Sequence, residues 1–404
     1  MTPRKRTRRV RRAEGIWQRG PKTSDTFDII VPLGRDPRTG KKRDAWQTFK
    51  GTLRAAKVKR GELIAARQAG AYVEPSRLTV AEYLKGWLAD HARHAVSAKT
   101  FERYSEIVNK HLVPALGAHR LAKLAPLHIQ AYHGSALANG RLRRRKGEEG
   151  ERGLSARTVK FHHKILSQAL RQAVRLRLLT RNPCDDVKPP RAVQREMNIL
   201  DHEATGRLLR EAEHLAIYMP VLLAVTTGMR RGEILALRWR DVDLDARTLA
   251  VRQTLEQTKA GGLAFKAPKT ARGRRTITLP ELTAEALRRH RTAQKEARLK
   301  VGPDFKDHDL VCALRDGNPR SPLALTNEFA RLIKRLGLAI RFHDLRHTHI
   351  SHLLAAGVHP KVASERAGHA SVAITMDVYS HVLPGMQEDA ANRIDAALRT
   401  HLEH

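Results

Sequence analysis

Four short runs in the second half of the chain hold side chains that can bind an anion, move a proton or attack as a nucleophile. The first is Thr226-Thr-Gly-Met-Arg230-Arg-Gly-Glu233-Ile-Leu-Ala-Leu237, in which a glycine precedes a helix that opens with charge. Arg230 and Glu233 are three apart, so one helical face presents both and Glu233 can hold the guanidinium; an ordinary surface ion pair has the same spacing. The second, Leu263 to Pro280, reads as two strands about a basic turn with Lys269 near it, although a lone lysine in a basic chain is usually a solvated charge. The third, His343-Asp-Leu-Arg346-His347, puts His343 and Arg346 on one helical face. In the fourth, Gly368-His369 is followed ten residues later by Tyr379, the only tyrosine beyond Tyr218. A tyrosine is more often a core residue with a bonded hydroxyl, yet this one sits in a polar stretch.

The spacing of His343 and His347 also mimics a zinc-binding HExxH helix, with Asp344 in place of the glutamate. A metallohydrolase is the weaker reading. Arg346 would be repelled by the metal, aspartate is too short to replace glutamate simply, and no separate third ligand is evident.

The rest of the chain says what these groups act on. Its 404 residues carry 76 Lys+Arg against 41 Asp+Glu, a net charge of +35 that calls for a polyanionic partner. Nucleic acid fits better than a membrane surface, since no basic helix with a Trp/Phe/Leu face stands out. Cys184 and Cys312 are the only cysteines, far apart, so neither a disulfide framework nor a zinc knuckle is indicated and a reducing compartment is expected. The basic N-terminus runs into no apolar segment, and nowhere do 18 apolar residues follow one another, so neither secretion nor membrane spanning is expected.

Several elements must position the chemistry. Residues 1–12 hold seven Lys/Arg and no anchoring hydrophobics, which reads as a basic flexible arm over 1–14. From Gly15 to Phe49 the pattern is three short strands with a hairpin turn, then a helix from Thr52 to Gln68; this small basic domain over 15–74 has the character of a DNA reader, or of a structural domain alone. Helical spacing recurs near 80–93, 98–112, 126–138 and 155–178, making an all-α domain over 75–184 with a charged loop at Gly140–Gly150. A Pro-rich stretch over 185–196 reads as a linker, and 197–404 as the last domain. Its tail from Gln387 reads as an amphipathic helix, suited to packing on a neighbouring protomer or on its own subunit. The fold class is therefore multidomain and mainly α with small β elements.

Taken together, the four runs resemble the tyrosine recombinase family, the phage integrases, over most of residues 195–385. Thr-Gly-x-Arg-x-x-Glu, His-x-x-Arg, Gly-His and the spaced Tyr stand in the family's order, with Ala367 where the family usually has leucine. The resemblance implies that Arg230, Lys269, His343, Arg346 and His369 surround a scissile DNA phosphate, that Glu233 supports them, and that Tyr379 is the nucleophile. It implies a SAM-like core-binding domain before a mostly α catalytic domain with a small sheet, and, more weakly, an arm-type DNA-binding domain at 15–74. Double-stranded DNA with core and arm-type sites is the implied partner, bound by a homo-tetramer. Neither cofactor nor metal is implied. An excision or directionality factor and a DNA-bending host protein complete the set, in a bacterial cytoplasm.

The chemistry has a physical logic. Attack on a phosphodiester adds charge to an anion, and two guanidiniums can meet it with paired N–H bonds. A phenol with an ordinary pKa near ~10 must lose its proton as it attacks, for which His343 is the implied base, while His369 is a second donor or an orienting group. Lys269 can protonate the leaving 5′ oxygen. A covalent 3′-phosphotyrosine keeps the bond energy, in keeping with the lack of a phosphate-cradling G-x-x-x-x-G-K-[ST] loop. A type IB topoisomerase-like enzyme shares this chemistry but acts alone on one duplex, and a DNA-binding regulator without catalysis is the other rival. The three-domain layout and the full residue set argue for recombination.

Overall fold

The computed structural model describes residues 9–21, 24–36, 39–69, 72, 76–142, 153–193, 197–268, 273–369 and 371–379, apart from the side chains of 374 and 377–379, with short pieces at 391–392, 394–395 and 398–399. Two units make up the chain, Met1–Gln194 and Arg195–His404.

In the first unit, β1 (Arg9–Ala13), β2 (Ile16–Arg19), β3 (Thr26–Arg35) and β4 (Lys42–Lys50) form an antiparallel sheet in chain order. Strand alternation turns Phe27 and Ile29 of β3 inward, where they meet Ile16 and Ala56, the latter on α1 (Leu53–Gln68). The sheet has one strand more than the three expected, because part of the expected flexible arm is structured. Arg9 reaches the buried carboxylate of Asp28 at 3.1 Å and its guanidinium lies over the Trp46 ring, while Arg12 Nε donates to Gln18 at 2.6 Å. Charge pairing thus anchors an edge strand that has few hydrophobics to do so.

Helices follow where the apolar spacing predicts. α2 (Val80–Trp87) opens with a capping box in which Glu82 accepts from the Thr79 backbone at 2.8 Å and Thr79 from that of Glu82 at 3.2 Å. It passes through a widened turn into α3 (Arg93–Ala95), and α4 (Ala98–Ile107) likewise into α5 (Val113–Leu116). α6 (Pro126–Asn139) and α7 (Ala156–Arg175) complete the set. α7 buries Val159, Ile165, Leu166, Ala169, Leu170 and Ala173 on one face. Another part of its surface lines an open groove of about 850 Å³ with Arg157, Lys160, Lys164, Arg171 and Arg175. Residues 143–150 of the charged loop lie outside the described residues.

The second unit contains α8 (His202–Ala212), α9 (Tyr218–Thr227), α10 (Arg231–Leu235), α11 (Glu281–Val301), α12 (Pro322–Arg335), α13 (Asp344–Ala355), α14 (Pro360–Ala367) and α15 (Val372–Tyr379). Tyr-Met-Pro-Val-Leu-Leu-Ala-Val has no polar face, so α9 is sunk among α8, α10, α11 and α13. Between α10 and α11 lie β5 (Val242–Asp243), β6 (Thr248–Val251), β7 (Thr254–Thr258), β8 (Gly262–Lys266) and β9 (Arg275–Thr278).

The run around Lys269 departs from expectation. Its two strands exist but do not pair with each other: β8 pairs with β7, and β9 with β6 in the order β5-β6-β9. The physical reason is burial. Ile277 of β9 pairs with Leu249 of β6 and both are buried, whereas Leu263 and Phe265 of β8 stay exposed. Lys269, which follows β8 in the sequence, lies outside the described residues. So does most of the tail from Gln387 to His404.

Candidate active site

The site is built on the end of α9. Its C-cap, Gly228, has φ 65°, and a Cβ there would lie 2.6 Å from Cδ2 of His349, so glycine is required twice over. The last carbonyls of a helix lack intrahelical partners and form the negative end of its dipole. Here cations and an imidazole from later elements take them up. Arg346 donates to the Gly228 carbonyl at 2.7 Å, Arg366 to that of Thr226 at 3.0 Å, and His349 Nδ1 to that of Val225 at 2.8 Å. Arg346 is thereby held with 2% of its surface exposed. His349 Nε2 accepts from Arg366 at 3.2 Å, and since a carbonyl only accepts and a guanidinium only donates, His349 is the neutral Nδ1–H tautomer.

Arg230 follows immediately. Spacing predicts that it shares a helical face with Glu233, but Arg230 is the N-cap of α10, in extended conformation outside the helix. They meet all the same. Glu233, three positions on and 3% exposed, accepts from the Arg230 backbone N–H at 3.0 Å and from its guanidinium at 2.8 Å. The helix can lie this close to β7 because residue 232 is glycine; a Cβ there would come 2.5 Å from Thr254 Oγ1. Burial pushes the Glu233 carboxyl up, but Arg275 and then Arg230 outweigh it and hold the group below its ordinary value. The far nitrogen of Arg230 donates to the Gly368 carbonyl at 2.9 Å, at the end of α14, and 42% of its side chain remains exposed. Next in sequence, His369 pairs through Nδ1 with the buried Thr375 hydroxyl of α15 at 2.8 Å.

His343 occupies the N-cap position of α13, its ring centroid 5.2 Å from that of His347 and nearly perpendicular to it. Partial burial, and then the charges of Arg346 and Arg230, lower its pKa against the opposing pull of Asp344. His369 is lowered to about 4, by burial first and then by Arg346 and Arg230. His347 is lowered to about 4 by burial and its neighbour His343. All three imidazoles are therefore neutral at pH 7. The carboxylate of Asp344 is held by Arg341 through bonds of 2.7, 2.8 and 3.0 Å, so it is not the poised base of a zinc helix.

The structure thus brings Arg230, Glu233, His343, Arg346 and His369 together. Tyr379 is the last residue of α15, with its side chain outside the described set, as is Lys269. Sequence reasoning missed Arg275, His349, Arg366 and Thr375 as parts of the site. Arg275 had a readable signal: it shares strand parity with the buried Ile277, so period-two alternation turns it inward. The others depend on which helix ends meet, which spacing does not encode.

These histidines make stability depend on pH. A folded-state pKa below the ordinary 6.5 means that the unfolded chain takes up protons first as pH falls. The stabilisation is complete above about pH 6.5 and is lost toward about 4 for His347 and His369 and about 3 for His349. Each contributes a slope of up to about 1.4 kcal/mol per pH unit. The melting temperature of the DNA-free protein is expected to fall steadily from pH 6.5 to 4.5; a flat profile over that range contradicts the assigned burial.

Residues 198–385 match the model of the phage integrase family, and residues 79–135 that of the phage integrase N-terminal SAM-like domain. A "Tyrosine recombinase XerC-like" protein of Caldanaerobacter subterraneus is 25% identical over 388 residues, covering 91% of this chain and 95% of that one. The Tn1549 transposon integrase, solved in complex with transposon right end DNA, shares the fold at TM-score 0.66 and 19% identity over 79% of this chain and all of that one. A lambda integrase tetramer bound to a Holliday junction aligns at TM-score 0.52 and 20% identity over 89% of this chain and 96% of that one. Fold and matches together define an enzyme of DNA recombination. The chain belongs to the phage integrase family of tyrosine recombinases.

Proposed function

We propose that this recombinase integrates and excises a mobile DNA element, and that Tyr379 attacks a phosphate held by Arg230, Arg346 and His369. The observation that carries the reading is the pair of guanidiniums on Arg346 and Arg230, fixed by the carbonyls of Gly228 and Gly368 beside two neutral histidines. Fixed donors need no reorganisation as charge builds on the five-coordinate phosphorus. His343 accepts the phenolic proton as the Tyr379 oxygen bonds to phosphorus and the P–O5′ bond breaks. Lys269 protonates the departing 5′ oxygen. The product is a 3′-phosphotyrosyl linkage and a free 5′ hydroxyl, and attack by a different 5′ hydroxyl reverses the step without ATP.

Exchange between two duplexes needs four such sites, which supports a tetramer on DNA, the assembly named for the lambda integrase. The cationic groove along α7 suits the phosphates of a core site, and the basic four-stranded sheet suits an arm-type site. A directionality factor and a DNA-bending protein belong to the same reading. Among the described residues no helix is long and apolar enough to cross a membrane.

The test is a purified reaction between two duplexes that carry the ends of the DNA element encoding this chain. Sequenced junctions with exchanged flanks are expected, at a rate that chelator leaves within about twofold, because side-chain cations meet the phosphate charge. Relaxation of a supercoil with no exchange of flanks overturns recombination in favour of a type IB topoisomerase-like activity.

A further inference from the structure

The chemistry above makes no use of Arg275, a cation near the site that donates through all three of its nitrogens. Its side chain is 7% exposed, and it donates to Glu233 at 2.9 Å, to the Arg366 carbonyl at 2.8 Å and to the Gly273 carbonyl at 3.2 Å. A guanidinium this deeply buried is tolerated only when its charge and donors are met, and here two distant segments and the neighbouring Gly273 carbonyl meet them. We propose that Arg275 is a positioning residue for strand cleavage, acting through Glu233 on Arg230 and joining the segments that carry Arg230 and His369. The inference rests on the cleavage reading of the site.

Two features carry it. First, Glu233 is shared: one oxygen takes the Arg230 guanidinium, and the other takes Arg275 together with the Arg230 backbone N–H. With two guanidiniums on one carboxylate, the trio keeps an uncompensated positive charge, and Arg230, the more exposed of the two, can offer it to a phosphate. Without Arg275, Glu233 would neutralise Arg230 alone and be free to pull it into a simple ion pair. Second, the bonds of Arg275 end where the other groups begin. Arg366 lies two residues before Gly368, whose carbonyl holds Arg230 and whose next neighbour is His369. Arg230 and Arg275 therefore both donate to carbonyls of the same helix end. A planar fork fixed at three points can hold this register, whereas an ammonium cannot.

The test uses the full chain and a nicked duplex spanning the sequenced junction, with single-turnover adduct formation, duplex affinity and melting temperature as readouts. Arg275→Met is expected to lower the adduct rate by about a hundredfold, the scale of a misplaced catalytic group, while duplex affinity changes less than about threefold. Arg275→Lys should lose about tenfold, and it serves where the Met variant does not fold. The double variant R275M/E233Q should be no slower than the worse single, because both act on Arg230 through one path. Wild-type rates in Arg275→Met or Arg275→Lys, losses that multiply in the double variant, or a defect that merely follows the folded fraction each overturn the proposal. If the unaltered chain yields no adduct, it is the cleavage reading that fails, and this inference with it.

Discussion

Arg346→Ala is expected to slow single-turnover strand cleavage by about a hundred- to a thousandfold, the usual effect of removing one donor to a developing oxyanion. Arg346→Lys should recover little of it. The reason is geometric: one terminal nitrogen of Arg346 is tied to the Gly228 carbonyl at 2.7 Å, and the remainder of a rigid fork is thereby aimed. An ammonium that satisfied the same carbonyl would have to leave the phosphate, and one that reached the phosphate would leave the negative end of α9 uncapped. The same substitutions at Arg230 should behave similarly, with an added effect of Glu233 left facing Arg275 alone. Adduct formation on the nicked duplex under enzyme excess measures this. A lysine at 346 that works within about tenfold of arginine would show that charge rather than forked bonding sets the rate.

The reasons these residues sit together were only partly legible in the sequence. The candidate site residues announced themselves by type and order, and Gly228 by its place before Arg230. Helix periodicity placed α2, α4, α6 and α7, because a single apolar face decides each of them. Pairing partners of strands were not legible. β8 and β9 flank one basic segment and look like a hairpin, yet the burial of Ile277 against Leu249 sends β9 to β6. The first strand was hidden for the opposite reason, since it holds its place by Arg9 and Asp28 rather than by hydrophobic alternation. Contacts such as Arg366 to Thr226 and Arg230 to Gly368 span 140 and 138 residues, and they arise only once two helix ends have met.

Tyr379→Phe is expected to abolish the covalent adduct altogether while leaving duplex affinity within about threefold, since it removes one oxygen and none of the cations that bind phosphate. The loss should be complete rather than graded, because the phenol is the proposed nucleophile and three phenols of the first unit are already engaged. Tyr83 donates its hydroxyl to the Ala169 carbonyl, Tyr104 to Gln168 at 3.1 Å, and Tyr132 lies 2.7 Å from His162 Nδ1. Burial also pushes the phenols of Tyr83 and Tyr132 well above their ordinary pKa. Tyr379 differs in what its helix packs on: α15 lies against α14, whose end supplies the carbonyl that holds Arg230 and leads into His369. On the proposed mechanism the neutral His343 is the proton acceptor that a phenol with a pKa near ~10 requires at neutral pH. Peptide mapping of the trapped adduct should find the DNA on the segment containing Tyr379. An adduct that survives in the phenylalanine variant, on Ser380 or elsewhere, would mean that another nucleophile uses the same anion pocket and that the tyrosine mechanism is wrong for this chain.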